Sequence, residues 1–511
     1  MALNARVRVA ALSSLVLIVT AGCDGWSGPP SAVGGTTATL SAQTRCLAQS
    51  TTNPCTYWFQ YWADGATTVT STPQRAANVN TNGFVTVTEA ITGLTPGTLY
   101  HSQFCGFGDD NVAAPGLCVG QQGGAVSSPG AQPDTGDYNS TQRFRTADAG
   151  TAATVDLGRP LSTADTADRP ISRDAGFSAA YSGSNALWIF GDTVHRNGSP
   201  PWLLGTTAAA GAYTRGSVPT TLQELPTPPA APTPGRTGIA QFLPPPQGLL
   251  LPGIPTAQNP NPPPVACTPE AGSSYPASWT SGMTRIPGTE RLLIVYHQIC
   301  VATTRDSWPV ERVTLTDYDP ATNRFLSTVT PFTASPLQNG VPAGQQLGSP
   351  VFGGDGFLYF YAHDFATARV LAARVSATPS TWGNAANYGW WNGTTWTGTP
   401  ATATTVIIGA PEIWSAHVMD FTGVGTHRLA MIVQTTFGTG GYRVYEATSP
   451  QGPWTAGPSG RVPDTCPGGG FGCYAFTAHA ELSTADRFWL SWYSPGDRNG
   501  FAHLRLAAIP W

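Results

Sequence analysis

The sequence predicts an all-β protein, a β-sandwich followed by a five-bladed β-propeller, and three observations predict it. Short apolar and aromatic runs recur at similar spacing through the C-terminal two thirds of the chain. Turn formers are abundant, with 58 Gly and 46 Pro among 511 residues. The charged fraction is 11% and the aromatic fraction 10%, a balance that reads as many short strands joined by turns. A chain of this length exceeds one hydrophobic core and should divide into more than one domain.

At the N-terminus, Arg6 and Arg8 precede an apolar run from Val9 to Val19, an n-region and h-region too short for a permanent spanning helix. The next residues, Thr20-Ala21-Gly22-Cys23, resemble the bacterial lipobox. That resemblance implies a signal peptide over 1–22, a lipid on Cys23, and an exported protein anchored to a membrane, in the periplasm or at the cell surface. An ordinary cleaved signal with an incidental Cys is the alternative. Residues 24–35, rich in Gly, Pro and Ser, read as a flexible tether.

Nine Cys less the acylated one leave eight, an even number that suits an oxidising compartment. Proximity suggests the disulfides Cys46/Cys55, Cys105/Cys118, Cys267/Cys300 and Cys466/Cys473. No pair has the C-x-x-C spacing of a zinc site, and neither a cofactor nor a metal is expected. The net charge of −4, with no Lys and no basic patch, argues against nucleic acid as a partner. The plentiful Trp and Tyr would suit carbohydrate faces, so a polysaccharide substrate is expected, with a monomeric chain.

Residues 36–147 show alternating strands with turn punctuation: Ala38-Thr39-Leu40-Ser41-Ala42, Thr56 to Trp62 and Phe84 to Thr88. Leu94-Thr95-Pro96-Gly97-Thr98-Leu99-Tyr100 and the closing Phe144-Arg145-Thr146 resemble the turn before the sixth strand, its core Tyr, and the last strand of a fibronectin type III domain. The Cys pairs depart from the usual cysteine-free form, and a spacer or adhesive role is implied.

From 151 to 511 a unit repeats. Its apolar strands are Leu187 to Phe190, Leu292 to Tyr296, Phe357 to Tyr361, Leu429 to Val433 and Phe488 to Trp492. A proline-rich tract over 225–264 lengthens the first interval and reads as an inserted loop, because Pro cannot donate to a central ladder. Five similar units suggest five four-stranded blades, with the final strand Ala502 to Ile509 closing the ring against the first. A stacked pair of sandwiches is the alternative.

The first hairpin carries the candidate chemistry. A two-residue turn at Gly183-Ser184 would set Asp174 opposite Thr193 and Asp192 opposite Ala175, bringing both carboxylates to the open end of neighbouring strands. Glycoside hydrolysis needs such a pair, one carboxylic acid to protonate the leaving oxygen and one carboxylate to attack or to activate water. The acid is assigned to Asp192. Arg173, beside Asp174, is expected to lower that carboxyl's pKa if the two touch. His297, His363, His417, His479 and Glu481 fall at equivalent ends of later hairpins and, with Arg173 and Glu412, are candidate substrate-binding residues. Each also has a plain reading as a turn former or a hydrogen-bonded core residue.

Several stretches together are similar to one family: Asp174-x-Gly176-x-Ser178, Leu187 to Thr193, Gly348-Ser349-Pro350-Val351-Phe352, Ala373-Arg374-Val375, Trp391-Asn392-Gly393-x-x-Trp396, Ser449-Pro450-x-Gly452-Pro453-Trp454 and His479-x-Glu481-Leu482. It is the glycoside-hydrolase-like five-bladed propeller family that includes endo-D-arabinofuranases acting on mycobacterial D-arabinan. The resemblance implies Asp174 and Asp192 as the catalytic pair. His479-Ala480-Glu481 departs from the family's His-Pro-Glu, and the proline tract could reshape the cleft. A non-catalytic carbohydrate-binding or adhesion protein, and a purely structural surface protein, are the rival functions.

Overall fold

The computed structural model describes residues 24–45, 56–76, 85–107, 117–118, 141–147, 154–164, 171–195, 202–244, 274–302, 310–333, 346–364, 369–400, 403–404, 406, 415–436, 438–464, 466, 472–495 and 503–511. Among them the regular structure is strand, apart from two single 3-10 turns at Pro379–Thr381 and Ala385–Asn387.

The N-terminal strands are β1 (Asp24–Ser31), β2 (Thr37–Arg45), β3 (Thr56–Ala63), β4 (Thr70–Ser71), β5 (Arg75–Ala76), β6 (Val85–Thr92), β7 (Leu99–Phe107), β8 (Leu117–Cys118) and β9 (Thr141–Arg145). One sheet runs β1-β2-β6; the other runs β4-β3-β7-β9. Leu40, Phe59, Ile91, Tyr100, Phe104 and Phe144 fill the space between them. The backbone N–H of Thr95 donates to the Tyr100 hydroxyl at 3.0 Å, so this buried ring keeps a partner for its polar tip. The stretch expected to be a flexible tether is largely strand β1, paired antiparallel with β2. Its prolines Pro29 and Pro30 fall at a register shift of an edge strand, where a missing N–H costs nothing, and buried Ser27 ties it down by accepting from the Phe104 amide at 2.9 Å.

The strand β10 (Val155–Gly158) follows, then β11 (Ile171–Arg173), β12 (Phe177–Ala180), β13 (Asn185–Phe190), β14 (Thr193–His195), β15 (Trp202–Leu204), β16 (Thr207–Ala212) and β17 (Gln223–Glu224). The first sheet runs β12-β13-β16-β17, with β11-β14-β15 as a small sheet beyond its open end. The second sheet is β18 (Ser274–Arg285), β19 (Leu292–Ala302), β20 (Val310–Asp319) and β21 (Arg324–Phe332). The third is β22 (Gln346–Phe352), β23 (Phe357–Asp364), β24 (Arg369–Ser376), β25 (Gly389–Trp391) and β26 (Trp396–Thr397). The fourth is β27 (Ser415–Val424), β28 (His427–Thr436), β29 (Gly441–Ala447) and β30 (Thr455–Arg461), and the fifth contains β31 (Tyr474–Ala478), β32 (Arg487–Ser494) and β33 (His503–Pro510).

Each sheet is an antiparallel meander, and each apolar run singled out in the sequence is the second strand of one. Because side chains alternate along a strand, each such run feeds two apolar layers. In β13, Leu187 and Ile189 pack toward Leu292 and Ile294 of the second sheet, while Trp188 and Phe190 pack toward Trp489 and Leu506 of the fifth. Further layers join the second sheet to the third, the third to the fourth, and the fourth to the fifth. The succession therefore returns on itself, an arrangement consistent with a β-propeller. Each side chain fully buried in these layers contributes about 1.5–3 kcal/mol relative to exposure.

One expectation, on how the ring closes, needs correction. The last strand, β33, lies between β32 and β10 and does not pair with the first sheet; closure uses the strand that precedes that sheet. β10 also pairs β9 at Val155↔Phe144, so the N-terminal sandwich and the fifth sheet share one continuous ladder. The described part of the proline-rich tract, up to Pro244, carries no strand beyond its flank, yet Phe242 packs on Tyr318 and Phe325, and buried Asn323 donates to Pro226 O and Ala230 O.

Candidate active site

The hairpin β12/β13 pairs Phe177 with Ile189 and Ala180 with Ala186, and β11/β14 keeps the same register with Arg173 opposite Thr193. Asp174 and Asp192 therefore face each other directly, one residue off the expected register. The turn is longer than Gly183-Ser184: the Tyr181 and Ser182 amides both donate to Asn185 O, and Ser182 Oγ accepts from the Asn185 amide at 3.0 Å. The Asp174 amide donates to Asp192 O at 2.8 Å, whereas Asp174 O accepts from Gly191 at 2.6 Å. The hydrogen bonding is thus irregular at the strand end, although three residues still oppose three between Arg173↔Thr193 and Phe177↔Ile189. A Cβ at Gly191 would meet Asp174 O at 3.1 Å, a tight contact that glycine avoids.

Ala175 follows with φ +48°, a left-handed conformation costly for a residue with a Cβ. Ala475, which follows Tyr474, has φ +54° at a register shift of β31. The two bends converge, because the Tyr474 hydroxyl donates to Asp174 Oδ2 at 2.9 Å. Opposite, the indole N–H of Trp279, on the first strand of the second sheet, donates to Asp192 Oδ1 at 3.0 Å. Asp174, Asp192, Tyr474 and Trp279 are all half-buried, so the four form one patch partly open to solvent.

The two carboxyls have unlike surroundings. Burial first, then the charge of Asp192, push the Asp174 carboxyl up to about 7, against the Tyr474 hydroxyl and the Ala175 amide, which act to lower it. Arg173 takes no part in this. Neighbours on a strand point to opposite faces, and Arg173 turns inward to pair with Glu224 at 2.5 Å, its guanidinium 4.0 Å from the Phe190 ring centre. The expectation that Arg173 lowers the Asp174 pKa and meets substrate is therefore corrected: its cation is spent in the core.

The remaining candidates are dispersed. His297 is buried on β19, bonds Leu347 O through Nε2 at 2.6 Å, and is pushed down to about 4 by burial. His363 is buried on β23. Both lie on the second strands of their sheets, one place out from the first strands. His417 is on an inner strand, yet buried: Nδ1 accepts from the Ala478 amide at 3.0 Å, and Phe177 meets it edge to face at 5.0 Å. Burial, then His479, push it down to about 3. His479 stacks on Trp188 at 4.8 Å and bonds Ser178 Oγ through Nδ1 at 2.6 Å, while Ser178 also donates to Glu481 Oε1. That buried cluster is anchored on Ser178, four residues along the chain from Asp174. Glu412, Cys23, Cys46, Cys55 and Cys267 lie outside the described residues, and Cys300 is described by backbone alone.

Cys466 and Cys473 form a disulfide; Cys105 is disulfide-bonded and paired in the ladder with Cys118. Among the described residues the one grouping of metal-ligand types is Asp464 with Cys466 and Cys473, whose thiols the disulfide consumes. Tyr474 and Trp279 were not singled out from sequence. The signal available was weak: each is an aromatic with a polar tip on the first strand of a unit.

No family model matches the chain, and no curated protein matches it. Solved structures with some likeness include a "putative hydrolase" from Bacteroides ovatus ATCC 8483, at 12% identity over 72% of this chain and 93% of that one, with a TM-score of 0.44. The GH43_1 enzyme from Xanthomonas citri, solved with xylose and with xylotriose, shows 11% identity over 66% of this chain and 87% of that one, with a TM-score of 0.36. The functional reading rests on the chain's own residues.

Proposed function

We propose that the chain is an exported glycoside hydrolase with Asp174 as general acid and Asp192 as base or nucleophile. The observation that carries this is the direct opposition of two half-buried carboxyls in unlike surroundings. An acid of pKa near 7 keeps its proton at neutral pH, and the Tyr474 hydroxyl on Oδ2 fixes how the carboxyl is oriented. Asp192, whose Oδ1 accepts from the Trp279 N–H, takes the carboxylate role in this reading. This reverses the assignment made from sequence. The acid protonates the glycosidic oxygen as the C–O bond breaks. The carboxylate attacks the anomeric carbon, or takes a proton from the water that does.

The reading extends to a five-bladed propeller behind a fibronectin type III-like sandwich, supported by the ring of apolar layers and by the β1-β2-β6 and β4-β3-β7-β9 sheets. The substrate we favour is a furanosidic polysaccharide of the D-arabinan type, on the strength of the sequence motifs around both Asp residues. The lipid anchor on Cys23 rests on the lipobox-like residues alone.

The test is release of reducing ends from D-arabinan and a panel of plant and bacterial glycans. Wild-type protein should release them, and Asp174→Asn and Asp192→Asn should bind glycan but release none. A folded wild type that binds and never cleaves would make the chain a carbohydrate-binding protein; the anomer first formed would assign retention or inversion.

A further inference from the structure

Tyr474 reaches Asp174 from a segment held on every side. Its ring packs on Tyr493 at 4.3 Å. The preceding residue, Cys473, is joined to Cys466 by the disulfide, and Cys473 O accepts from buried Gln434 at 3.1 Å. Two residues before Cys466 stands Asp464, whose side chain is 1% exposed. It accepts from Trp492 Nε1 at 2.9 Å and from Arg143 Nη1 at 2.6 Å.

Arg143 belongs to β9, a strand of the N-terminal sandwich. It also approaches Asp156 at 3.4 Å, and Asp156 pairs with Arg505 at 2.6 Å. Two cations and two buried carboxylates thus alternate, and one cation comes from the sandwich. Without Arg143, two buried carboxylates would share Arg505 alone, an arrangement a low-dielectric interior does not tolerate. The route from Arg143 to the candidate acid is short: Asp464, the disulfide, Tyr474, Asp174.

We propose that the N-terminal sandwich is a working part of the active site, with Arg143 as a positioning residue that holds Tyr474 against Asp174 through Asp464 and the Cys466–Cys473 clasp. Its catalytic meaning rests on Asp174 being the acid, but its geometry does not. The sandwich is then a brace for the hydrolase, more than a spacer carried in front of it.

The test follows the ionisation of Asp174 without any glycan. The full chain is labelled with carbon-13 at the aspartate γ-carbon, and the Asp174 resonance is assigned by its loss in Asp174→Asn. Tyr474→Phe removes a donor to the charged form, so the Asp174 midpoint should rise by about one pH unit. Arg143→Met should raise it similarly, although Arg143 is not among the groups acting directly on that carboxyl. The double variant should add little to either single one, since both act through the same bond. Arg143→Lys keeps the charge without the fork that spans Asp464 and Asp156, and should give a partial rise; it decides the matter if Arg143→Met fails to fold. A midpoint unchanged in a folded Arg143 variant, or shifts that add in the double one, would overturn the inference. A shared shift in a protein that cleaves no glycan would keep the brace and remove only the hydrolase.

Discussion

Trp279 donates its indole N–H to Asp192 Oδ1 at 3.0 Å, so a carboxylate of the first sheet's hairpin is held from the second sheet. A hydrogen bond to a charged acceptor contributes about 1.5–3 kcal/mol. Trp279→Phe keeps most of the ring's packing and deletes the donor. On the proposed mechanism kcat should fall about 10- to 100-fold with little change in KM. Steady-state kinetics on the active glycan, with a melting curve to show the variant is folded, would check this.

The raised pKa of Asp174 has a cost in stability with a definite sign. A carboxyl that is harder to ionise in the folded chain than in the unfolded one leaves stability untouched below its ordinary value of 3.8, erodes it progressively above that, and has its full effect beyond about 7. At 1.36 kcal/mol per pH unit the ceiling is about 4 kcal/mol. Asp174→Asn should therefore melt higher than wild type at pH 8 and close to it at pH 4. Calorimetry at the two pH values measures it. An Asp174→Asn protein less stable than wild type at pH 8 would mean that the acid is solvated and its pKa ordinary.

His297 and His417 act in the opposite sense. Both are held neutral, pushed down to about 4 and about 3, so the unfolded chain takes up protons below about 6.5 that the folded chain refuses. Stability is complete above that pH and falls as the pH drops toward those values. His297→Gln, which can still donate to Leu347 O, should show a smaller loss of melting temperature between pH 7 and pH 4.5 than wild type. With Asp174 eroding stability on the alkaline side, the wild type should be most stable at mildly acidic pH.

The Arg173–Glu224 pair is buried, with Glu224 side-chain exposure at 0%. Arg173→Met leaves that carboxylate unpaired and should cost about 3–5 kcal/mol, whereas Arg173→Met with Glu224→Leu should recover much of the loss. Because Arg173 faces away from the carboxylate patch, KM for glycan should stay within about twofold. A large rise in KM in a folded Arg173→Met protein would return Arg173 to the substrate site.

What was legible in the sequence was whatever periodicity encodes. The apolar runs are second strands because Leu187-Trp188-Ile189-Phe190 and its counterparts feed two layers each, and that demand is written in consecutive apolar residues. The neighbourhood of Asp174 and Asp192 was legible too, though their pairing came out one residue off. Ser182 and Asn185 decide that turn by side-chain hydrogen bonds, which a Gly-Ser pattern does not reveal. Arg173 could have been placed correctly, since adjacent residues on a strand cannot share a face. Tyr474 could not, because its partner lies 300 positions away and no local pattern marks it.

The ladder that shuts the ring sets an order of events. Asp156 of β10 meets Arg505 of β33 across 349 positions, so one half of the latch leaves the ribosome long before the other exists. Until β33 emerges, the one ladder pairing of β10 among the described residues is with β9 at a single residue pair, and the barrier to assembly includes closing a loop of 349 positions, about two thirds of the chain. A polypeptide built this way stays unlatched until β33 has been made and closes only afterwards. Trimming residues 503–511 should therefore leave a soluble sandwich attached to an open, aggregation-prone remainder.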